Sequence, residues 1–488
     1  MKQKKAIIIG AGVGGLATAI RLANKGFEVD VFEKNNFPGG KASSIEKNGY
    51  FWGFGPSLFT FPELLDELFK ECGKNPEDYY SYYRLDPICN YFFPNGKRLS
   101  AFAEPQKFAE EAEQKLGEPQ KNVLTHLYKI NELYELTKEM FLFSSLHKLK
   151  TYTKWNALKT LMQLSKIGLT ETVHKVNSKR FQTAEMIQLF DRYPTYNGSN
   201  PYKSPSTLNV IASPEFNKGG YILKGGMPTL SKSLFKLAEE LGVSFHFGEQ
   251  AELITVQTDE AKSVTVNGKV HDADIVVSNM DIYYTYHNLI KKQLKHPSVV
   301  EYPMSTSALI FSWGIKKTFE ELDCHNIFFS ENYEEEFRCI ENKTISNDPT
   351  IYVFISKKYN PSHAPDGCEN WFTLVNVPPN TGQNWDELIA ITRKNIISKI
   401  SKSLGTNIEP LIECETITDP RAINERTLSY QGAIYGISSN SQIAAFLRHP
   451  NFSRQVKNLY FTGGSVHPGG GVPLCLLSAK IIDEIIHE

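Results

Sequence analysis

Apolar residues along this chain change their period repeatedly, and the changes mark its elements. Ala6 to Ile9 is an unbroken apolar run, as a parallel strand buried on both faces should be. Leu16, Ala19, Ile20 and Ala23 then recur at helical spacing, and Gly26 stops that helix. Val29, Val31 and Phe32 predict a second strand that ends at Glu33. Short strand-like runs return at Val243 to Phe247 and at Ile275 to Ser278. Further on, "IYVFIS" and "WFTLVNVP" alternate with helical pieces. The pattern predicts a mixed α/β chain whose N-terminus reads strand, turn, helix, strand.

Bulk composition narrows the class. With 488 residues the chain exceeds one ordinary core, so two or more domains are expected. Hydrophobic residues at 41% and charged residues at 22% suit a globular protein, and a net charge of −1 gives no reason to expect nucleic acid. Thirty Phe and 23 Tyr suit either a long apolar pocket or simply large cores. Seven scattered cysteines without a Cys-x-x-Cys pair predict reduced thiols, with neither a disulfide framework nor a metal site. No apolar run approaches the roughly 18 residues of a membrane span.

The chemistry begins in "KKAIIIGAGVGGLATAIRLANKGFEVDVFEK". Basic residues followed by an apolar stretch could pass for a signal peptide, but the glycines decide otherwise. Gly10, Gly12 and Gly15 form G-x-G-x-x-G: one for the tight turn, one for close approach to a pyrophosphate, one for helix–strand packing. The helix N-terminus offers N–H groups and a positive dipole end to phosphates. Glu33 stands where a carboxylate accepts from ribose hydroxyls. Downstream, Gly39, Gly40 and Lys41, then Gly55, Pro56 and Ser57, read as a loop wrapping an extended cofactor, which favours FAD over NAD.

These residues resemble the FAD-dependent amine-oxidase-like flavoproteins. The C-terminal "NLYFTGGSVHPGGGVPLCLLSAK" narrows the resemblance to the bacterial-type carotenoid (phytoene) desaturases. It continues through "GSNPYKSPSTL", "GGYILKGGMPTLSKSLFKLAEELG", "DADIVVSNMD", "HNIFFS" and "DPTIYVF", and so spans essentially the whole chain. Two positions depart from the family: Lys41 stands for its usual Arg, and Gly53 for a frequent Asp. The overall likeness points to flavobacterial 1-hydroxycarotenoid 3,4-desaturases.

The resemblance implies a Rossmann-like FAD-binding domain of the amine-oxidase/glutathione-reductase-like type from residues 1–85, 218–290 and 410–488. A discontinuous substrate domain would come from 86–217 and 291–409. Motif and resemblance together nominate as FAD contacts Gly10, Gly12, Val13, Gly14, Gly15, Glu33, Lys34, Gly40, Lys41, Gly55, Pro56, Ser57, Ala251, Asn279, Gly463, Gly464, Gly470, Gly471 and Val472. In the family the C-terminal glycine loop lies against the flavin, and the helix near Pro473 aims its positive end at the ring. No catalytic side chain is nominated. Glu185, Asp191, Arg192 and Tyr193 are candidate lining, and His467 borders the glycine loop.

The implied reaction removes two hydrogens from an acyclic, 1-hydroxylated carotenoid, a hydride passing to flavin and a proton to a base or solvent. Phytoene or diapophytoene desaturation, cis–trans isomerisation and carotenoid oxygenation on the same scaffold stay open, as does a non-enzymatic prenyl-lipid carrier. The electron acceptor, oxygen or quinone, is left open. A lipid-soluble substrate implies a cytoplasmic protein held peripherally at the inner membrane. Residues 141–180 are the expected contact: eight basic residues, one acidic, and Trp155 among leucines suggest a helical membrane-surface segment.

Overall fold

A computed structural model describes residues 3–153, 155, 160, 162–163, 170–290, 294–295, 297–440 and 448–487. Strand β1 (Lys5–Ile9) leads through a glycine turn into helix α1 (Val13–Asn24) and strand β2 (Glu28–Glu33). A five-stranded sheet runs in the order Leu459–Phe461, Ile275–Ser278, β1, β2, Ser244–Phe247, and every pairing is parallel. Ala6, Ile7 and Ile8 at its centre are fully buried. This is what the unbroken apolar runs require, because helices cover one face and an antiparallel three-stranded sheet, Ala251–Gln257, Glu260–Val266 and Lys269–Asp272, lies towards the other. Helix α1 packs between Pro228–Glu240 and the C-terminal helix Val472–Ile486.

The second half is built on a mixed seven-stranded sheet. Its order is Ile412–Thr418, Ser307–Ile315, Glu369–Val377, Ile351–Ile355, His325–Phe328, Cys89–Phe92, Arg98–Ala101. Strand Ser307–Ile315 is buried at all nine positions. Its odd residues, Leu309, Phe311, Trp313 and Ile315, pack in one core with Ile396, Ile397 and Ile400 of helix Trp385–Leu404. Its even residues Ala308 and Ile310 belong to a different cluster on the opposite face. Period-2 alternation therefore sorts two apolar faces, one for a helix and one for a cavity.

Three expectations change. The boundary at 410 moves, because Ile412–Thr418 pairs antiparallel with Ser307–Ile315 and extends the seven-stranded sheet. The stretch expected to be a wrapping loop contains a hairpin, Ser44–Lys47 with Tyr50–Gly53. Residues 141–180 are not one helix. Gln120–Phe141 ends there, Leu149–Thr153 and Val173–Arg180 are separate helices, and Lys154, Lys159, Lys166, Leu158, Leu161 and Leu164 lie outside the described residues. The charge of the last part is also partly spent, since Lys175 and Lys179 both pair with Glu171.

Candidate functional site

One cavity of about 670 Å³ joins the two halves. At one end lies the β1–α1 turn. Gly10 N–H donates to the Phe32 carbonyl at 2.8 Å and Gly39 N–H to the Ala11 carbonyl at 2.8 Å, so the turn is stitched to β2 and to the Gly39–Lys41 loop. Gly12 caps α1 with no side-chain hydrogen bond, which leaves the first helical N–H groups open towards the cavity. Glu33, 7% exposed, accepts from Ala11 N–H at 2.8 Å on one oxygen. Its other oxygen accepts from Asn35 N–H at 2.9 Å and Asn35 Nδ2 at 2.8 Å. A carboxylate fixed by three donors at a strand end retains lone pairs for a sugar diol.

Asn279 explains why so many glycines converge. A Cβ at Gly12 would come within 2.7 Å of its Nδ2, and Cβ atoms at Gly14 and Gly463 within 2.8 and 2.7 Å of its Oδ1. A Cβ at Gly15 would collide with the Gly10 carbonyl oxygen. The Asn279 side chain is thus wedged between the first glycine turn and the last, and only residues without a Cβ let the three segments meet. Of the C-terminal glycines, Gly464 faces Gly470, and Gly470 faces Tyr435, at 3.2 and 2.9 Å from where a Cβ would stand. Only at Gly471, with φ +113°, would a Cβ meet no protein atom. A positive φ beside open cavity therefore accounts for Gly471, whereas packing of chain on chain accounts for Gly463, Gly464 and Gly470.

Lys41 Nζ donates to the Ile434 carbonyl at 3.1 Å. Burial lowers its pKa, and the carboxylate of Asp281 opposes that fall. Asp281 is pushed up by burial and held back by the Tyr283 N–H and by Lys41. Lys34 Nζ donates to the Glu425 carbonyl. Of the nominated contacts, all but Gly15 line the cavity; Gly15 serves helix packing beneath it.

Beyond the glycine loops the lining becomes apolar. The cavity face of the seven-stranded sheet supplies Ala308, Ile310, Ile327, Tyr352, Phe372 and Leu374, which the strand register makes contiguous. The opposite wall comes from Leu208, Val210 and Ile211 and from Tyr134, Phe141, Leu142 and Leu146. Among the described residues, no group of three His, Cys, Asp or Glu is placed to hold a metal. Arg192 reaches the cavity, but Tyr193 is core, Glu185 pairs with Lys97, and Asp191 accepts from His174 and Asn177. His467 lines the cavity and its Nε2 donates to the Ser144 carbonyl at 2.9 Å. Burial lowers its pKa to about 4, so it is a neutral tie between the glycine loop and the Leu142–Leu146 wall.

Sequence reasoning missed Asp281, Arg426, Tyr435 and Arg448. Arg448 Nη1 donates to the Tyr435 carbonyl at 2.8 Å and Nη2 to Asn197 Oδ1 at 2.6 Å, tying the substrate half to Tyr435, which abuts Gly470. None of these belongs to a spaced motif. Only Asp281 had a signal, as the end of "DADIVVSNMD".

This geometry fits a dinucleotide whose far end reaches an apolar channel. The family model for flavin containing amine oxidoreductases matches residues 13–481. The chain belongs to that family. Among curated relatives it is similar to a 1-hydroxycarotenoid 3,4-desaturase of Flavobacterium sp. (strain P99-3), 46% identical over 99% of each chain. A phytoene desaturase of Fusarium fujikuroi is 30% identical, over 99% of this chain and 89% of that one. A 4,4'-diaponeurosporene oxygenase of Staphylococcus haemolyticus (strain JCSC1435) is 29% identical over 100% and 98%. Among solved structures, a putrescine oxidase variant matches with a TM-score of 0.67 at 15% identity over 99% of both chains, which shows the shared fold. As a member of this family the chain is a flavoprotein oxidoreductase, and FAD is the cofactor that the Gly10–Glu33 cradle fits.

Proposed function

We propose that this flavoprotein desaturates an acyclic, 1-hydroxylated carotenoid. The observation that carries the reading is the continuity of the cavity. The dinucleotide crease opens directly onto an apolar channel floored by the seven-stranded sheet. A polyene has no ionisable group to grip, so the channel holds it by burying apolar surface, and the flavin supplies the two-electron acceptor. In this reading Gly10, Gly12 and Val13 with the α1 N-terminus hold the diphosphate, and Glu33 and Ala251 the adenosine end. Lys41, Gly55, Pro56 and Ser57 face the ring region, and Gly471 and Val472 present the C-terminal helix N-terminus to it. The channel walls keep water from the reacting carbons and hold them in register.

Membrane contact belongs to the same reading. Leu149, Trp155 and Met162 are 87, 75 and 82% exposed, and Leu146 just before them lines the cavity. No helix of the described residues is long and apolar enough to cross a membrane. A surface seat for these side chains delivers a water-insoluble substrate to the channel mouth.

The test is direct. Holoenzyme given a 1-hydroxylated acyclic carotene in liposomes should yield a product whose absorbance moves to the red by one conjugated double bond. A product with unchanged conjugation and one added oxygen would replace desaturation by oxygenation. No conversion of any carotenoid tried would overturn the reading.

A further inference from the structure

One polar cluster in the channel, centred on Arg192 and His325, meets the residues assigned to the cofactor only at Ser57. Arg192 is 4% exposed, and its guanidinium lies 5.5, 4.7 and 4.9 Å from the ring centroids of Tyr91, Tyr193 and Tyr196. Its Nη2 donates to the Tyr91 hydroxyl at 3.0 Å, and its Nε has no hydrogen-bond partner among the described residues. The buried carboxyl of Glu215 acts on this charge, but accepts its hydrogen bond from the Tyr193 hydroxyl at 2.9 Å. On the strand paired with that of Tyr91, His325 is 3% exposed, with Nδ1 2.6 Å from the Tyr352 hydroxyl and Nε2 without a partner among the described residues. Tyr352 in turn lies 2.6 Å from the Ser57 hydroxyl. Arg192, His325, Tyr352 and Ser57 all line the one cavity.

Arg192 Nε and His325 Nε2 are buried without partners among the described residues, and such atoms are costly unless a ligand group pairs with them. The chemistry of the pair is that of an alcohol's complement. Arg192 only donates. His325 is neutral, its pKa lowered to about 3 by burial and then by Arg192. The Tyr352 and Ser57 hydroxyls can reverse their donation together, so His325 Nε2 either accepts or donates. The position also suits a hydroxylated end group. Ser57, bonded to Tyr352, belongs to the Gly55–Ser57 loop assigned to the ring region, so the cluster borders that end of the cofactor crease. A hydroxyl on C1 stands only two carbons from a C3–C4 bond.

We propose that Arg192 and His325 form the subsite that receives the substrate's tertiary hydroxyl and so selects a hydroxylated end group over a bare hydrocarbon one. The inference rests on the desaturase reading and names the residues that set its specificity. A site built to pair a hydroxyl rejects the analogue lacking it, because its own polar groups are then left unpaired.

The test uses FAD-loaded enzyme with a 1-hydroxylated acyclic carotene and its unhydroxylated counterpart in the same liposomes. Wild type should prefer the alcohol in kcat/KM by about 100-fold or more. Arg192→Met should reduce that preference at least about tenfold at unchanged flavin content. Tyr352→Phe, a gentler change should the first variant not fold, should reduce it less by breaking the link to His325. A second readout is thermal stabilisation of the holoenzyme by a tertiary-alcohol tail mimic against the matched alkane, expected for the alcohol only and weakened in both variants. Equal use of both substrates by wild type, or losses in the variants that are the same for both, would overturn the subsite. Alcohol-selective binding without desaturation of either substrate would sink the desaturase reading and leave the subsite standing. Absence of alcohol-selective binding would sink the subsite whatever the turnover.

Discussion

The two ends of the cavity are built in opposite ways. At the nucleotide end the backbone does the recognition, and side chains are mostly removed: Gly10, Gly12 and Gly14 face Asn279, and open N–H groups face the ligand. At the channel end the side chains do everything, with Ile310, Phe372 and Leu374 as floor and Arg192 and His325 as polar punctuation. A backbone cradle demands particular residues at particular spacings, because only glycine tolerates the approach. A channel demands only a shape and an apolar surface, which many sequences satisfy.

The contrast can be broken most severely at Gly15. Gly15→Val places a methyl-bearing carbon onto the Gly10 carbonyl, backbone against backbone. The expected outcome is about 3 kcal/mol of destabilisation and no yellow holoprotein. A flavin-loaded Gly15→Val protein with wild-type Tm would refute the packing role.

Gly471→Val separates folding from function. The residue sits at φ +113° with open cavity where a Cβ would stand. Strain of roughly 1–3 kcal/mol should leave a folded protein, while the intruding side chain displaces ring or substrate and lowers turnover about 100-fold. Full activity would mean that the loop does not face the reacting groups.

Glu33→Lys removes the acceptor for Ala11 N–H and Asn35 and sets a cation beside the sugar. FAD should bind about 10- to 100-fold more weakly, from roughly 1–3 kcal/mol of unpaired polar groups. Titration of apoprotein with FAD measures it, and unchanged affinity would remove Glu33 from the site.

The smallest effect on turnover is expected at the exposed Leu149 and Trp155. Changing Leu149 and Trp155 together to Glu should release part of the protein from anionic liposomes, because each exposed side chain contributes about 1.5–3 kcal/mol when buried in lipid. Flavin content and activity on detergent-dispersed substrate should not change. Sedimentation equal to wild type would move the mouth elsewhere.

The nucleotide half was legible because its constraints are local. Five glycines among the first 33 residues, the apolar run, the helical spacing and Glu33 each carry a physical demand that only a few residue types meet, and the C-terminal glycines repeat it. The sequence alone thus determined the α/β class, the dinucleotide cradle and four of the five parallel strands, all but Leu459–Phe461. Tertiary structure alone decided which apolar face of Ser307–Ile315 meets a helix and which meets the channel. Both faces are apolar, so alternation carries no polarity signal. It also decided the sheet membership of Ile412–Thr418, which depends on pairing with a strand about a hundred residues away. The cluster at Arg192 was hidden for the same reason. Ser57, Arg192, Glu215, His325 and Tyr352 come from five separated stretches, and nothing in the spacing of such residues encodes that folding will enclose them around one cavity.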